Sequence, residues 1–119
     1  MKISKLAQIL LEDFEKNKRH IFTFVNEFYG ANSKKQKYAL IKDKPEIKEI
    51  RILALLASLA EWLAQKEDVP VPEWVEKIGS AIPAVYLTSN DTFKMIAFRD
   101  APIVFRKRHI FIDPRSFEK

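Results

Sequence analysis

Histidines and cysteines supply most metal and nucleophilic sites in proteins, and this sequence has few of them. The 119-residue chain contains two histidines and no cysteine, which excludes thiolate ligands, disulfides and a cysteine nucleophile. His20 has no carboxylate or second histidine three or four residues away. His109 has Asp113 four residues later, a spacing that aligns two ligands on a helix. Pro114 disfavours a helix there, so we predict neither a metal site nor a cofactor.

Carboxylates occur close together at residues 12–15, 46–49 and 67–68. Such pairs can divide general acid and base roles when a cleft raises the pKa of one of them. Residues 46–49 lie at the predicted start of a helix and residues 67–68 at its end, so we interpret these charges as solvated. Two glycines, Gly30 and Gly79, are too far apart to form a glycine-rich phosphate loop. We therefore predict no catalytic residues and a protein that is not an enzyme.

Cations beside aromatic side chains near the end of the chain are the pattern that indicates binding. Arg106, Lys107 and Arg108 follow Phe105 and precede an apolar run that contains Phe111. Arginine and lysine contact phosphates and aromatic rings stack on bases, so nucleic acid is one possible ligand. An acidic protein surface is another, and a third interpretation is that the aromatics only anchor the tail to the core. The nucleic-acid interpretation uses Lys34, Lys35, Lys37, Arg106, Lys107 and Arg108.

Charge is unevenly distributed along the chain, whose net charge is +5. Residues 1–44 carry a net charge of +5, residues 45–89 carry −3 and residues 90–119 carry +3. Basic ends around an acidic middle can attract nucleic acid or an acidic protein, although a solvated surface gives the same pattern. We find no convincing recognition helix of a helix-turn-helix domain.

Apolar spacing predicts helices in the first thirty residues. Positions 3, 6, 10 and 14 share one helical face, and positions 21, 24, 25 and 28 repeat the pattern. Whether residues 3–29 form one helix or two stays open, and Gly30 is predicted to end the segment in a left-handed cap. Residues 31–44 are predicted to be a basic loop. Within that loop, residues 38–41 are compatible with a strand or a turn of helix.

The central helix is the strongest prediction from the sequence. It runs from Pro45 to residue 65 or 66, with Asp43 or Lys44 as its cap. Residues 50–64 are apolar nearly all round, which is typical of a helix enclosed by other helices or partly used as a dimer seam.

Prolines organise the rest of the chain. Residues 69–72 form a proline-rich turn, followed by a short helix over residues 72–77 with Trp74 pointing inward. A helix over residues 91–100 is capped by Ser89 or Asn90. Its predicted inward face consists of Phe93, Ile96 and Ala97. A short helix from Pro102 to about residue 107, an extended or irregular run over 109–112 and a last turn after Pro114 complete the prediction.

These elements predict a mainly α protein, a single compact helical domain over residues 1–119 with five or six helices. One short extended pair, at residues 38–41 or 109–112, is compatible with the pattern. The apolar run at residues 52–60 is about half the ~20 residues that a membrane span needs, and residues 6–11 are too short for a signal peptide. We therefore expect a cytoplasmic protein that does not contact membranes.

Two motifs carry a family resemblance. Pro72-Glu73-Trp74 follows the central helix, and the segment from Pro102 to Phe111 reads Pro-x-x-Phe-Arg-Lys-Arg-x-Ile-Phe. This order, over about the C-terminal two-thirds, resembles a family of small uncharacterised bacterial proteins. Members are similar to proteins encoded beside nucleotidyltransferase-like proteins, in arrangements that look like toxin–antitoxin pairs.

The resemblance implies a non-enzymatic, antitoxin-like component that binds a nucleotidyltransferase-like protein. Arg106 and Arg108 would supply charge to an acidic partner, and we expect Arg106→Glu to abolish the complex without harming the fold. Trp74, Phe105 and Phe111 would hold the tail rigid. The alternative is a nucleic-acid-binding transcriptional regulator that uses the basic residues named above, and a homodimer also stays open.

Overall fold

The structure, a computed structural model that describes residues 1–88 and 90–118, is mainly helical, as the sequence predicts. Five helices have eight or more residues and three have only four in the described part of the chain. The elements in chain order are α1 (Ile3–Glu12), α2 (Phe14–Asn17), α3 (His20–Gly30), α4 (Lys34–Ile41), α5 (Ile50–Lys66), α6 (Glu73–Glu76), β1 (Val85–Tyr86), α7 (Asp91–Asp100), α8 (Ile103–Arg106), β2 (Ile110–Phe111) and a 3-10 helix (Pro114–Phe117).

Helix α5 forms the centre of the core, as its apolar sequence predicts. Every residue from Ile52 to Ala60 is buried, and α1, α6 and α8 pack around it. The helix ends at Lys66 as expected, but its predicted start at Pro45 is wrong. Residues 45–49 are not helical, and Pro45 and Ile47 are buried while their neighbours are exposed, so alternate residues face the core. The cap is Glu49, whose carboxylate accepts from the amide of Arg51 at 2.9 Å.

The first thirty residues form three helices rather than one or two. Asp13 breaks the helical path with extended backbone angles, and its carboxylate accepts from the amide of Lys16 to cap α2. Helices α1 and α3 then turn their apolar faces, including Leu6 and Phe24, towards the core. Helix α3 ends at Gly30 as predicted, but Gly30 has no positive φ, so the predicted left-handed cap is wrong.

The predicted basic loop at residues 31–44 is also wrong, because most of it is helix α4. The hydroxyl of Ser33 accepts from the amide of Gln36 at 3.1 Å, which starts the helix. The helix buries Ile41, whose carbonyl accepts from Nε1 of Trp74 at 3.0 Å. The prediction that Trp74 points inward is thereby confirmed.

The C-terminal third contains the one strand pair found in the described residues. Strands β1 and β2 run parallel, with Val85 opposite Ile110 and Tyr86 opposite Phe111. Of residues 109–112, predicted to be extended or irregular, Ile110–Phe111 form β2 and His109 has a positive φ of 60°, whereas residues 38–41 belong to α4. The proline-rich turn, the two short helices after it and the last turn at Pro114 lie where the sequence places them. Phe117 in that turn is fully buried against the rings of Trp62 and Phe105.

Candidate interaction surface

Helix α7 is a ten-residue helix with only Ala97 buried among its side chains. Asn90 caps it as predicted by accepting from the amide of Phe93 at 3.1 Å; Ser89, the other predicted cap, lies outside the described residues. The predicted inward face is only partly correct, because Phe93 is exposed and Ile96 is half-buried. The exposed fractions of Phe93, Met95 and Phe98 are 58%, 74% and 53%. Large apolar side chains on an outer helix face indicate an unfilled contact.

Three aromatic rings form a stack beneath and beside α7, here called the aromatic stack. The ring centroids of Tyr86 and Phe111 are 5.1 Å apart, and those of Phe111 and Phe98 are 5.0 Å apart. Phe111 is buried at the centre, since it lies in β2 opposite Tyr86. The stack therefore joins the strand pair to the exposed helix.

Two cations cover the ends of the aromatic stack. Nζ of Lys94 lies 5.8 Å from the ring centroid of Tyr86. The guanidinium of Arg106 lies 5.5 Å from the ring centroid of Phe98 and 5.8 Å from that of Phe111. Neither cation has a carboxylate within ion-pair distance in residues 1–88 and 90–118. The contacts that these cations make in the described chain are with ring faces and, for Arg106, with backbone carbonyls.

Arg106 also forms hydrogen bonds that hold the end of α7. Its Nη2 donates to the carbonyl oxygens of Phe98 and Arg99, in the last turn of α7. Carbonyls there have no partner within the helix, and cationic side chains commonly satisfy them. Because Arg106→Glu removes these hydrogen bonds, we expect the substitution to loosen this end of α7; its effect on the fold stays a prediction.

An apolar groove lies on the other side of Phe111, with a volume of about 340 Å³. Phe93 and Ile96 of α7 form one wall, and Phe22 of α3 contributes to the lining. The buried Phe111 lies between the groove and the stack, which are on opposite flanks of α7: Phe93 and Ile96 line the groove, whereas Lys94 and Phe98 contact the stack. We call helix α7 with its two flanks the α7 surface; it comprises the exposed residues Phe93, Met95 and Phe98, the aromatic stack with its two cations, and the groove.

The charged side chains at the edge of the α7 surface form ion pairs with one another. Arg99 contacts Asp100 at 2.8 Å, and Arg115 lies 2.9 Å from Asp113 and 3.5 Å from Asp100. The hydrogen bond from Arg99 lowers the pKa of Asp100, and that from Arg115 lowers the pKa of Asp113. Both carboxylates are therefore charged at neutral pH and already paired, which leaves Lys94 and Arg106 as the unpaired cations of the surface.

Arg108, predicted to meet a partner or nucleic acid, is instead buried, with 4% of its surface exposed. Its guanidinium donates to the carbonyls of Val75, Ile78 and Val104 and to the hydroxyl of Ser58. An ion pair with Glu61 completes its contacts. The prediction of Arg108 as a surface charge is wrong, because all of its donors are used inside the protein.

The predicted aromatics are buried and act as supports. Phe105 is fully buried against Trp62 and Phe117, Trp74 is fixed by its hydrogen bond to α4, and Phe111 is the centre of the stack. Of these, only Phe111 belongs to the α7 surface.

The basic residues of the nucleic-acid interpretation do not form one free positive patch. Lys34 pairs with Asp68 at 3.0 Å, Lys37 pairs with Glu67 at 2.8 Å, and Lys107 pairs with Glu61 at 2.9 Å. The acidic middle of the sequence thus folds against its basic ends and offsets much of their charge. Within the described chain, Lys35 and Arg106 are the members of the predicted set with no carboxylate partner.

Sequence reasoning missed Tyr86, Lys94 and Phe98. One available signal was that residues 91–100 carry apolar side chains on two faces, since Met95 falls opposite Phe93 and Ala97. The pairing of Tyr86 with Phe111 had no signal, because these residues are brought together only by the strand pair.

The described residues contain no group of three or more carboxylates and histidines arranged to hold a metal ion. Among the helices in that part of the chain, none has the length and apolar character needed to cross a bilayer. No family model, curated protein or solved structure matches this chain.

Proposed function

We propose that this chain is a non-enzymatic protein-binding component of a cytoplasmic toxin–antitoxin-like pair, and that it contacts its partner through the α7 surface. The observation that carries the proposal is the exposure of Phe93, Met95 and Phe98 on a helix that buries only one alanine. Exposed apolar area of this kind is costly in water and is typical of interaction sites.

A protein partner explains this surface better than nucleic acid does. Bases stack on open ring faces, but a cation covers each end of the aromatic stack. Lys94 lies over Tyr86 at one end, and Arg106 lies over Phe98 at the other. The residues that line the groove include no arginine or lysine and do include the carboxylate of Asp113, which disfavours a phosphate there. Nucleic acid would instead need a continuous cationic track, and Lys34, Lys37 and Lys107 are held by carboxylates.

The nature of the partner is proposed from the resemblance of the chain's ending. Proteins with a similar ending are encoded beside nucleotidyltransferase-like proteins, so we propose a partner of that class. Within the same ending, Phe111 packs against Phe98 of α7, while the buried Phe105 and Arg108 tie the C-terminal segment to the central helix α5. Their role is compatible with a motif that shapes a contact surface without touching the partner directly.

Capture of the partner tests the proposal. The tagged chain is used to isolate proteins from nuclease-treated extract of its native cells, and the retained protein is purified and titrated against the chain by calorimetry. We expect a one-to-one complex with a nucleotidyltransferase-like protein. Met95→Glu is expected to weaken the complex about thirtyfold or more, the effect of a central interface residue.

The matched control is Leu11→Glu, because Leu11 is also an exposed apolar residue but lies on α1. Its complex is expected to keep the wild-type affinity. Capture of a protein of another class, whose complex is lost on Met95→Glu, would contradict only the proposed class of partner. Retention of nucleic acid, self-association alone, or a complex indifferent to Met95→Glu would contradict the proposed function.

A further inference from the structure

We infer that the outer face of α7 pairs with the same face of a second copy of this chain, with the two helices antiparallel about a two-fold axis at Met95. The outer face consists of Asp91, Thr92, Met95, Phe98 and Arg99, which are all exposed. This inference goes beyond the proposed function and does not depend on it, since the purified chain alone is sufficient to form the dimer.

The outer face is the side of α7 that points into solvent. Met95 has 74% of its surface exposed, and Ala97, the one buried residue of the helix, lies about 200° further round the helix axis. Asp91 and Arg99 lie four residues before and after Met95, so the three side chains form one exposed stripe. The aromatic stack and the groove lie on the two flanks of the helix, and the dimer requires neither of them.

Charge along this stripe is complementary to itself. In an antiparallel pair with a two-fold axis, a residue before the axis faces the residue that lies equally far after it in the other copy. With the axis at Met95, Asp91 of each copy faces Arg99 of the other, which gives two pairs of opposite charge. A parallel pair would instead place Asp91 against Asp91 and Arg99 against Arg99, which is unfavourable. The order of charges therefore favours the antiparallel arrangement.

Both charged groups of the stripe have capacity for a further contact. The carboxylate of Asp91 has neither a hydrogen bond nor an ion pair within the part of the chain that the structure describes. Arg99 donates to Asp100 through Nε at 2.8 Å and through Nη2 at 3.1 Å, and its Nη1 contacts no acceptor in the same residues. Nη1 can therefore donate to Asp91 of the other copy while the pair with Asp100 persists.

The apolar side chains of the outer face become covered in the same arrangement. Met95 meets Met95 of the other copy at the axis, and Phe98, which is 53% exposed, faces Thr92. A ten-residue helix is about 15 Å long, so the contact buries less than the roughly 1,200 Å² of a stable interface, and the dimer is weak and reversible. The proposed partner also contacts Met95, so a copy that is bound to the partner cannot be in the dimer.

Sedimentation velocity of the purified full chain tests the inference without knowledge of the natural partner. Over chain concentrations from about 10 μM to 1 mM, we expect an equilibrium between monomer and dimer. Met95→Glu places two carboxylates at the axis and is expected to weaken the dimer at least about tenfold. Leu11→Glu is the matched control, because Leu11 is an exposed apolar residue of α1, and it should leave the equilibrium unchanged.

Charge exchange at the two ends of the stripe tests the antiparallel register. Asp91→Lys and Arg99→Glu each place like charges together in both pairs, so each variant is expected to dimerise more weakly than the wild type. In an equal mixture of the two variants, a mixed dimer has opposite charges in both pairs. We therefore expect the mixed dimer to be at least about fivefold tighter than the dimer of either variant alone. Circular dichroism should show the same helix content in both variants.

A chain that stays monomeric over the whole concentration range would overturn the inference. A dimer indifferent to Met95→Glu, or a mixture of the two charge variants that dimerises no more tightly than either alone, would also overturn it. A captured protein partner that is lost on Met95→Glu would leave the proposed function standing in each of these cases. The expected dimer without any captured partner would support the inference and contradict the proposed function.

Discussion

Nη2 of Arg108 lies 3.0 Å from Oε1 of Glu61, and both side chains are nearly closed off from solvent. Glu61 belongs to α5 and Arg108 follows α8, so the ion pair ties the central helix to the C-terminal third. Two further donors of Arg108 reach the carbonyls of Val75 in α6 and Val104 in α8. One side chain therefore sets the position of three helices relative to one another.

Removal of the Arg108 guanidinium is expected to destabilise the protein strongly. Arg108→Ala leaves Glu61 as a largely buried charge with one lysine partner, and we expect a loss of about 3–5 kcal/mol in the free energy of unfolding. Urea denaturation followed by circular dichroism measures it. Lys107→Ala, which removes the exposed partner of Glu61, should cost about 1 kcal/mol or less. A similar small loss for Arg108→Ala would show that Arg108 does not organise the core.

Exposed residues of the α7 surface and the buried residues that support it should differ in their effects on the free energy of unfolding. Phe105→Ala empties a fully buried site between Trp62 and Phe117, and we expect a cost of about 3–5 kcal/mol. Met95→Ser changes an exposed side chain and should alter the free energy of unfolding by about 0.5 kcal/mol or less. Thermal and urea unfolding of both variants provide the measurement. A large destabilisation by Met95→Ser would mean that α7 is packed more tightly than its exposure indicates.

Arg106 should control the local stability of α7. Arg106→Ala removes the donors to the carbonyls of Phe98 and Arg99 and the cation on two rings, so α7 is expected to open more often. Hydrogen exchange measured by mass spectrometry should then be faster in residues 91–100 and unchanged in α5. Lys107→Ala serves as the neighbouring control, and equal protection of α7 in both variants would contradict the role given to Arg106.

The ionisation of Tyr29 makes the free energy of unfolding depend on pH in the alkaline range. Burial, followed by the negative charges of Glu67 and Glu118, raises the pKa of Tyr29 to about 12. Its hydroxyl donates to the carbonyl of Phe117 at 2.7 Å, a bond that contributes about 1 kcal/mol. The neutral tyrosine is favoured in the folded state, so its contribution is complete below pH ~10 and is lost as the pH rises towards 12.

Tyr29→Phe is therefore expected to be less stable than the wild type at neutral pH, by a difference that shrinks between pH ~10 and pH 12. Urea unfolding at a series of pH values measures this difference. A constant difference over the whole range would show that the ionisation of Tyr29 is not linked to folding.

Local signals predicted the elements that depend on local physics. The uninterrupted apolar run of α5, the proline before α6 and the Asn90 cap of α7 each act within a few residues, and each lies where expected. Helix α4 was missed because its sequence is basic and weakly apolar, and its start depends on the short side chain of Ser33.

Long-range pairings explain what the sequence could not predict. Arg108 looks like one cation of a surface cluster until Glu61, which lies 47 residues earlier in helix α5, is placed beside it. The same holds for Phe98, which becomes part of a site only when β1 and β2 bring Tyr86 and Phe111 together. The identities and spacing of residues in the sequence do not indicate such contacts between distant segments.

Between Leu87, which packs against the main core, and Val104, the described chain has only two buried residues, Ala97 and Ala101, and neither belongs to that core. Every larger side chain in this segment is partly or fully exposed. Substitutions in this stretch therefore change what the protein presents to others and leave the packing of α5 untouched. Under the proposed function, selection can exchange one partner for another without first rebuilding the fold, and recognition can diverge faster than architecture.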